Sequence, residues 1–193
     1  AKEKSVRFVN LEHYASLFDD MDRAFPLMKS SAAPPPATAS VPLKVQRVGS
    51  YDASFVPTPA DFKRLDARFR LPEATWDQLP TYRDYGFAVF KLRSGNAHIH
   101  PMAFAFPSRM PERLFFPTVH VHDGKVHKTA AFDHHLYCQR SQGLNLRLFR
   151  WLESEAPLGR TVSPERSEGL VDAHAHGYKA VLVGRYPNTD VWL

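Results

Sequence analysis

Leu11, Tyr14, Phe18, Met21 and Phe25 recur at alternating steps of three and four, the spacing that lines one face of a helix. Asn10 is placed to cap this run and Pro26 to stop it, so the pattern predicts a helix over about residues 11–25, with a short strand from Ser5 to Val9 before it. Ser30 to Pro42 breaks the periodicity. Small residues and prolines dominate there, and the stretch predicts a linker that contributes no core. The residues ahead of it are too few to fold alone, so the first helix is expected to dock onto the main body, residues 43–193.

Beyond the linker, strand-like and helix-like periods take turns. Lys44 to Phe55 carries strand-like stretches. Thr58-Pro59-Ala60-Asp61 resembles a capping box with proline at the first helical position, which predicts a helix to about Phe69, and a second short helix follows at Glu73 to Gln78. Gly86 to Leu92 reads as a strand, and Ser94-Gly95-Asn96 as the loop that returns His98 to Phe106 antiparallel to it. Leu114 to His122 and Lys125 to Ala130 flank Asp123-Gly124, a strong hairpin signal. Asn145 to Glu155 predicts an amphipathic helix with Leu144, Leu148, Trp151 and Leu152 inward. Ser163-Pro164-Glu165-Arg166 opens a turn or short helix, and Tyr178 to Val183 with Val191 to Leu193 supply final strands. Together these elements predict one α+β domain over residues 1–193: an antiparallel β-sheet of hairpins from Gly86 to Ala130, covered by several short-to-medium helices.

Composition supports a single packed core: 193 residues, 44% hydrophobic and 12% aromatic. The net charge of +5 narrows the partners little, because the basic residues (Arg64, Arg68, Arg93, Arg109, Arg147 and Arg160 among them) are scattered. Without a clustered basic stripe or a stacking motif, no nucleic-acid partner is expected. No apolar stretch approaches 18 residues, so no membrane span is expected either. The chain opens at Ala1 without an initiator Met, which slightly favours an extracytoplasmic, secreted or periplasmic location. The single Cys138 forms no internal disulfide and constrains no compartment.

Seven of the ten histidines fall between His98 and His135. If Asp123 and Gly124 form a two-residue turn, His122 pairs with Lys125, Val121 with Val126 and His120 with His127. Alternation then sets His120, His122 and His127 on one face, with Val119, Val121 and Val126 on the other. Directly opposed residues have Cβ atoms about 4.5–5.5 Å apart, close enough for two imidazoles to reach one ion at roughly 2.0–2.1 Å. His98 and His100, on the preceding strand with Met102, would extend the group to four or five ligands if the strands are neighbours. Imidazole suits zinc, copper, nickel or iron, and the block of histidines is expected to hold copper or zinc, with iron a further option. The other reading of such a group is a polar, solvent-facing hairpin that binds nothing.

The His120-x-His122 pair followed by His127 resembles the first metal motif of cupins, in which a His-x-His strand is followed after a turn by a glutamate. His127 stands where that glutamate would be. The match covers these residues alone, without the upstream glycine spacing or a second motif bearing the last histidine, so it concerns site geometry. Asp133-His134-His135 with Cys138 reads as further ligands or as a Cys–His pair if a helical turn brings His134 and Cys138 together; a cysteine packed as a small hydrophobe is the more ordinary reading. No nucleophile elbow, phosphate loop, dinucleotide fingerprint or His-Glu-x-x-His helix is present. The expected function is metal binding and handling. The alternatives are a metal-dependent enzyme of oxygenase or hydrolase type using the same histidines, and a structural or interaction domain without metal.

Overall fold

The computed structural model describes residues 6–26, 46–93, 95, 99–122, 124–140 and 150–193. In chain order they form β1 (Arg7–Val9), α1 (Leu17–Asp22), β2 (Gln46–Val48), β3 (Tyr51–Val56), α2 (Glu73–Asp77), β4 (Phe87–Leu92) and β5 (Ala103–Ala105). There follow β6 (Phe115–Phe116), β7 (Thr129–Gln139), β8 (Leu152–Glu153), β9 (Gly177–Pro187) and β10 (Val191–Trp192). The described residues fall into two compact units, one within Ala1–Ser16 and Ser30–Pro107, the other within Leu17–Lys29 and Ser108–Leu193.

The expected layout of helices covering one hairpin sheet does not form. Strands take 33% of the chain against 16% for helices, and they pair into small antiparallel sheets: β1 with β5, β6 with β10, β2–β3–β4 and β7–β9–β8. The two α-helices are only six and five residues long, too short to cover a sheet.

Local reasons account for the missing helices. Of the helix predicted over 11–25 only Leu17–Asp22 is helical. Leu11 and Tyr14 are buried but belong to the first unit, in a turn closed by the Tyr14 N–H on the Leu11 carbonyl, whereas Leu17, Met21 and Phe25 are buried and belong to the second. The three-four stripe is thus divided between two units, and Phe18, expected inward, is 52% exposed. After Thr58 the chain winds as tight 3₁₀ turns, Pro59–Arg64 and Ala67–Phe69, in place of the expected α-helix. The Thr58 hydroxyl donates to the Asp61 carboxylate at 2.8 Å and so caps no backbone N–H, while the Asp61 N–H bonds the Thr58 carbonyl three residues back. The helix expected over Asn145 to Glu155 does not run through its described end: Arg150 adopts a left-handed φ of 72°, and Leu152–Glu153 is the strand β8. Residues 145–149, the linker 30–42, Ser94, Asn96 and Asp123 lie outside the described residues.

In the first unit β4 is a strand as expected, but its partner is not the segment after it. It pairs with β3 over six positions, from Tyr51↔Leu92 to Val56↔Phe87, while β5 pairs with β1. The β3–β4 register packs Phe87 and Val89 against a core of Val56, Phe62 and Leu65, joined by Phe69 and Trp76. Packing these seven side chains together outweighs the local preference for a short hairpin. In the second unit β7 and β9 form an eleven-position ladder from Thr129↔Pro187 to Gln139↔Gly177. Helix α1 lies against it, where Tyr137 and Lys179 both hydrogen-bond the Asp22 carboxylate and Phe25 packs 6.0 Å from the Tyr137 ring. Among the described residues no helix is long and apolar enough to cross a membrane.

Candidate functional site

The segment that carries the histidines is held by side chains where a strand would use its backbone. Trp192 and Val191 pair with Phe115 and Phe116 in the β6–β10 sheet. From Thr118 onward that ladder is replaced. Asp190 accepts the N–H groups of Thr118 and Val119, the Thr118 hydroxyl donates to the Thr189 carbonyl, and Asn188 Oδ1 accepts the His120 N–H at 2.8 Å. Asn188 Nδ2 donates in turn to the carbonyls of His120 (2.8 Å) and His127 (3.0 Å). An amide side chain satisfies a donor and two acceptors that would otherwise be left open in a part-buried place.

Beyond Asn188 the predicted turn register is present: His122 and Lys125 form an antiparallel bridge, His122 N–H to Lys125 O at 3.1 Å and Lys125 N–H to His122 O at 2.8 Å. Gly124 has the left-handed φ of 69° that a primed hairpin turn demands. The next rung does not close as a strand pair, because Asn188 stands between the His120 and His127 carbonyls. His122 and His127 are exposed, and His120 is partly buried.

The partner of His120 is His134 of β7. Their Nε2 atoms are 3.0 Å apart. The His120 ring stacks on Phe132, with centroids 4.7 Å apart and planes at 28°, and meets His122 edge-on at 5.7 Å. His120 Nδ1 is buried and has no hydrogen-bond partner. A buried N–H without an acceptor costs more than a buried bare nitrogen, so the proton of neutral His120 sits on Nε2 and is donated to His134 Nε2. Desolvation first, then the neighbouring His134 and His122, holds the His120 imidazole below its ordinary range, which keeps it neutral.

The other predicted site residues are placed differently. Among the described residues no three His, Cys, Asp or Glu side chains form a group that could hold a metal ion, so His120, His122 and His127 do not converge as a triad. His100 belongs to the first unit and is 4% exposed. Its Nε2 accepts the Ser50 N–H at 3.0 Å, its Nδ1 lies 3.0 Å from the Pro101 carbonyl, and its own carbonyl accepts the Tyr51 hydroxyl at 2.8 Å. Both ring nitrogens are occupied, which leaves no lone pair for a metal. A Cβ on Gly49 would lie 2.3 Å from His100 Nε2, so the site also requires glycine there. The strand β5 after His100 pairs with β1, not with the 120s hairpin. His98 lies outside the described residues. Cys138 and His134 lie on one strand, not on a helical turn, and four strand residues span roughly 13 Å. Burial pushes the Cys138 thiol up to about 11, so it is not an activated nucleophile.

Sequence reasoning missed the pairing of His120 with His134 and the struts Asn188 and Asp190. The first had a readable trace: Ala130, Phe132 and His134 alternate with exposed Ala131 and Asp133, the pattern of a strand with one face inward. Comparison of the chain with protein families, with curated proteins and with solved structures gives no match.

Proposed function

We propose that the protein binds a divalent transition metal ion, zinc or copper, through Nε2 of His120 and His134, with His122 as a third imidazole and solvent in the remaining position. The 3.0 Å separation of the two Nε2 atoms carries this reading. Two nitrogens bound at 2.0–2.1 Å to a tetrahedral ion stand about 3.3 Å apart, so an ion in place of the shared proton needs a shift of only a few tenths of an ångström. His122 is exposed and its ring meets that of His120 edge-on, so a change of its rotamer on binding would add the third imidazole that the resting arrangement does not bring into place. An all-imidazole set suits zinc and copper.

The same geometry argues for an exchangeable ion. Metal on His120 Nε2 moves that ring's proton to Nδ1, which has no acceptor, whereas a tightly held ligand histidine donates its second N–H to an oxygen. The role is therefore ion binding and handling at a partly exposed site.

Elemental analysis of protein purified without chelator or affinity tag, followed by zinc titration, tests the reading. Wild type and His127→Ala should take up equal, near-stoichiometric zinc, and the His120→Gln, His134→Gln double variant should take up little. Zinc uptake by the double variant equal to wild type, or none by wild type, overturns it.

A further inference from the structure

The second unit carries a separate feature that the histidine pair leaves unused. A cavity of about 360 Å³ lies between α1 and the β7–β9 ladder, walled by Leu17, Phe18, Phe25, Phe116 and Tyr137, with His135 as a polar member of its lining. Phe18 and Phe25 stand 6.2 and 6.0 Å from the Tyr137 ring, tilted by 32° and 46°. Aromatic walls of this kind favour a flat apolar guest, and the volume is at the small end of ligand pockets, room for one or two fused rings.

Behind two members of that lining, Tyr137 and His135, stands Asp22, which does not itself line the cavity. Burial alone would raise its pKa, but hydrogen bonds from Lys179 and Tyr137 outweigh this and hold the carboxyl below its ordinary range, as an anion. Lys179 and the Tyr137 hydroxyl are both engaged by Asp22 Oδ1. Asp22 Oδ2 faces His135 Nδ1 at 3.6 Å. With the Asp22 carboxylate and the Tyr137 hydroxyl both on the Nδ1 side, the tautomer of a neutral ring that suits these neighbours carries its proton on Nδ1 and presents Nε2 as an acceptor, and Nε2 has no hydrogen bond among the described residues. The Asp22 and Lys179 charges offset one another, so an ionic guest would lose its hydration without gaining a partner.

We infer that this cavity is a binding site for a small neutral aromatic molecule bearing a hydroxyl group, the rings lying among Phe18, Phe25 and Tyr137 and the hydroxyl donating to His135 Nε2. The site is independent of the metal reading, and its test is run with a chelator present so that the two are read apart.

The probes are 2-naphthol and its methyl ether, which has the same rings and no donor, titrated against the full chain and followed by probe fluorescence. Wild type should bind 2-naphthol saturably and the ether about fivefold more weakly, the worth of one neutral hydrogen bond. His135→Asn keeps a donor in the place of Nδ1 and removes Nε2; it should bind both probes alike, at the affinity of the ether. Leu170→Trp, which adds bulk to the lining at a half-exposed position, should weaken both probes together. Thermal midpoints within about 4 °C of wild type identify variants that remain folded. Equal binding of the two probes by wild type, unchanged preference in His135→Asn, or no saturable binding of either probe overturns the inference.

Discussion

The regions around His100 and His120 show how much the function of an imidazole depends on what its two nitrogens meet. Around His100 the backbone supplies everything: a donor from Ser50, an acceptor from Pro101, and a glycine with φ of 57° that lets the chain approach the ring. Around His120 the backbone is held by Asn188, and the ring is left with another imidazole on Nε2 and nothing on Nδ1. Both side chains lie in histidine-rich stretches of similar composition. The first is a fastener with both ring nitrogens engaged, and the second has one ring nitrogen on an imidazole and the other bare.

The comparison is tested most severely at His100. Replacing it by alanine orphans the Ser50 N–H and empties a space beside Tyr51, so His100→Ala should lose roughly 3 kcal/mol in urea unfolding. Its zinc uptake should match wild type, and a fall in both together would make His100 a ligand after all. Gly49→Ala probes the same fastener from the backbone side. Left-handed strain and the close approach to His100 should cost about 2 kcal/mol, again with no effect on zinc.

Asn188→Leu comes next, because it keeps the bulk but removes three hydrogen bonds. A loss of about 2 kcal/mol is expected, and here zinc uptake should fall as well, since His120 is no longer positioned. Retained uptake would mean that the strut does not set the site. His122→Ala is exposed and should change stability by less than about 0.5 kcal/mol while weakening zinc several-fold in a competition titration.

The smallest effect is on pH. His120 is held neutral in the folded protein, so its pKa is lower folded than unfolded. Its contribution to stability is complete above the unfolded value of about 6.5 and is lost as pH falls through the lower folded value. Urea midpoints of wild type and His120→Gln should therefore converge as the solution is made more acid from that point. A gap that widens instead would give the shift the opposite sign.

What could be read from the sequence was local, and what could not was the choice of partner. The His122–Lys125 bridge was legible because a two-residue turn fixes its own register. The strand at Phe87–Leu92 and the short helix at Glu73–Asp77 were legible as elements. The partner of β4 was not, since Ser94-Gly95-Asn96 suggested an adjacent hairpin while the burial of Phe62, Trp76 and Phe87 favours β3, some thirty residues earlier. The stripe from Leu11 to Phe25 misled for a related reason: a helical period records which positions are apolar, not that they serve the same unit. At the candidate site both histidines were named from the sequence, His134 only as a further ligand beside Cys138, but their contact was not. His120 was marked by its turn, whereas His134 is brought to it by an eleven-position ladder with β9 that no local pattern specifies.

The dipeptide His134–His135 sets imidazoles on opposite faces of β7, one beside His120 and one beside Asp22. A slip of the strand by a single residue that brought His135 to the place of His134 would bring Leu136 to the place of His135, so imidazole would replace imidazole beside His120, where the histidines do little to resist it, and would be lost beside Asp22. Fidelity of alignment falls to their neighbours, above all to Phe132, which is buried, and Asp133, which is exposed and would be carried inward by the same slip. For this strand, the frame is guarded by the ring that stacks on His120 and by a carboxylate that must stay outside.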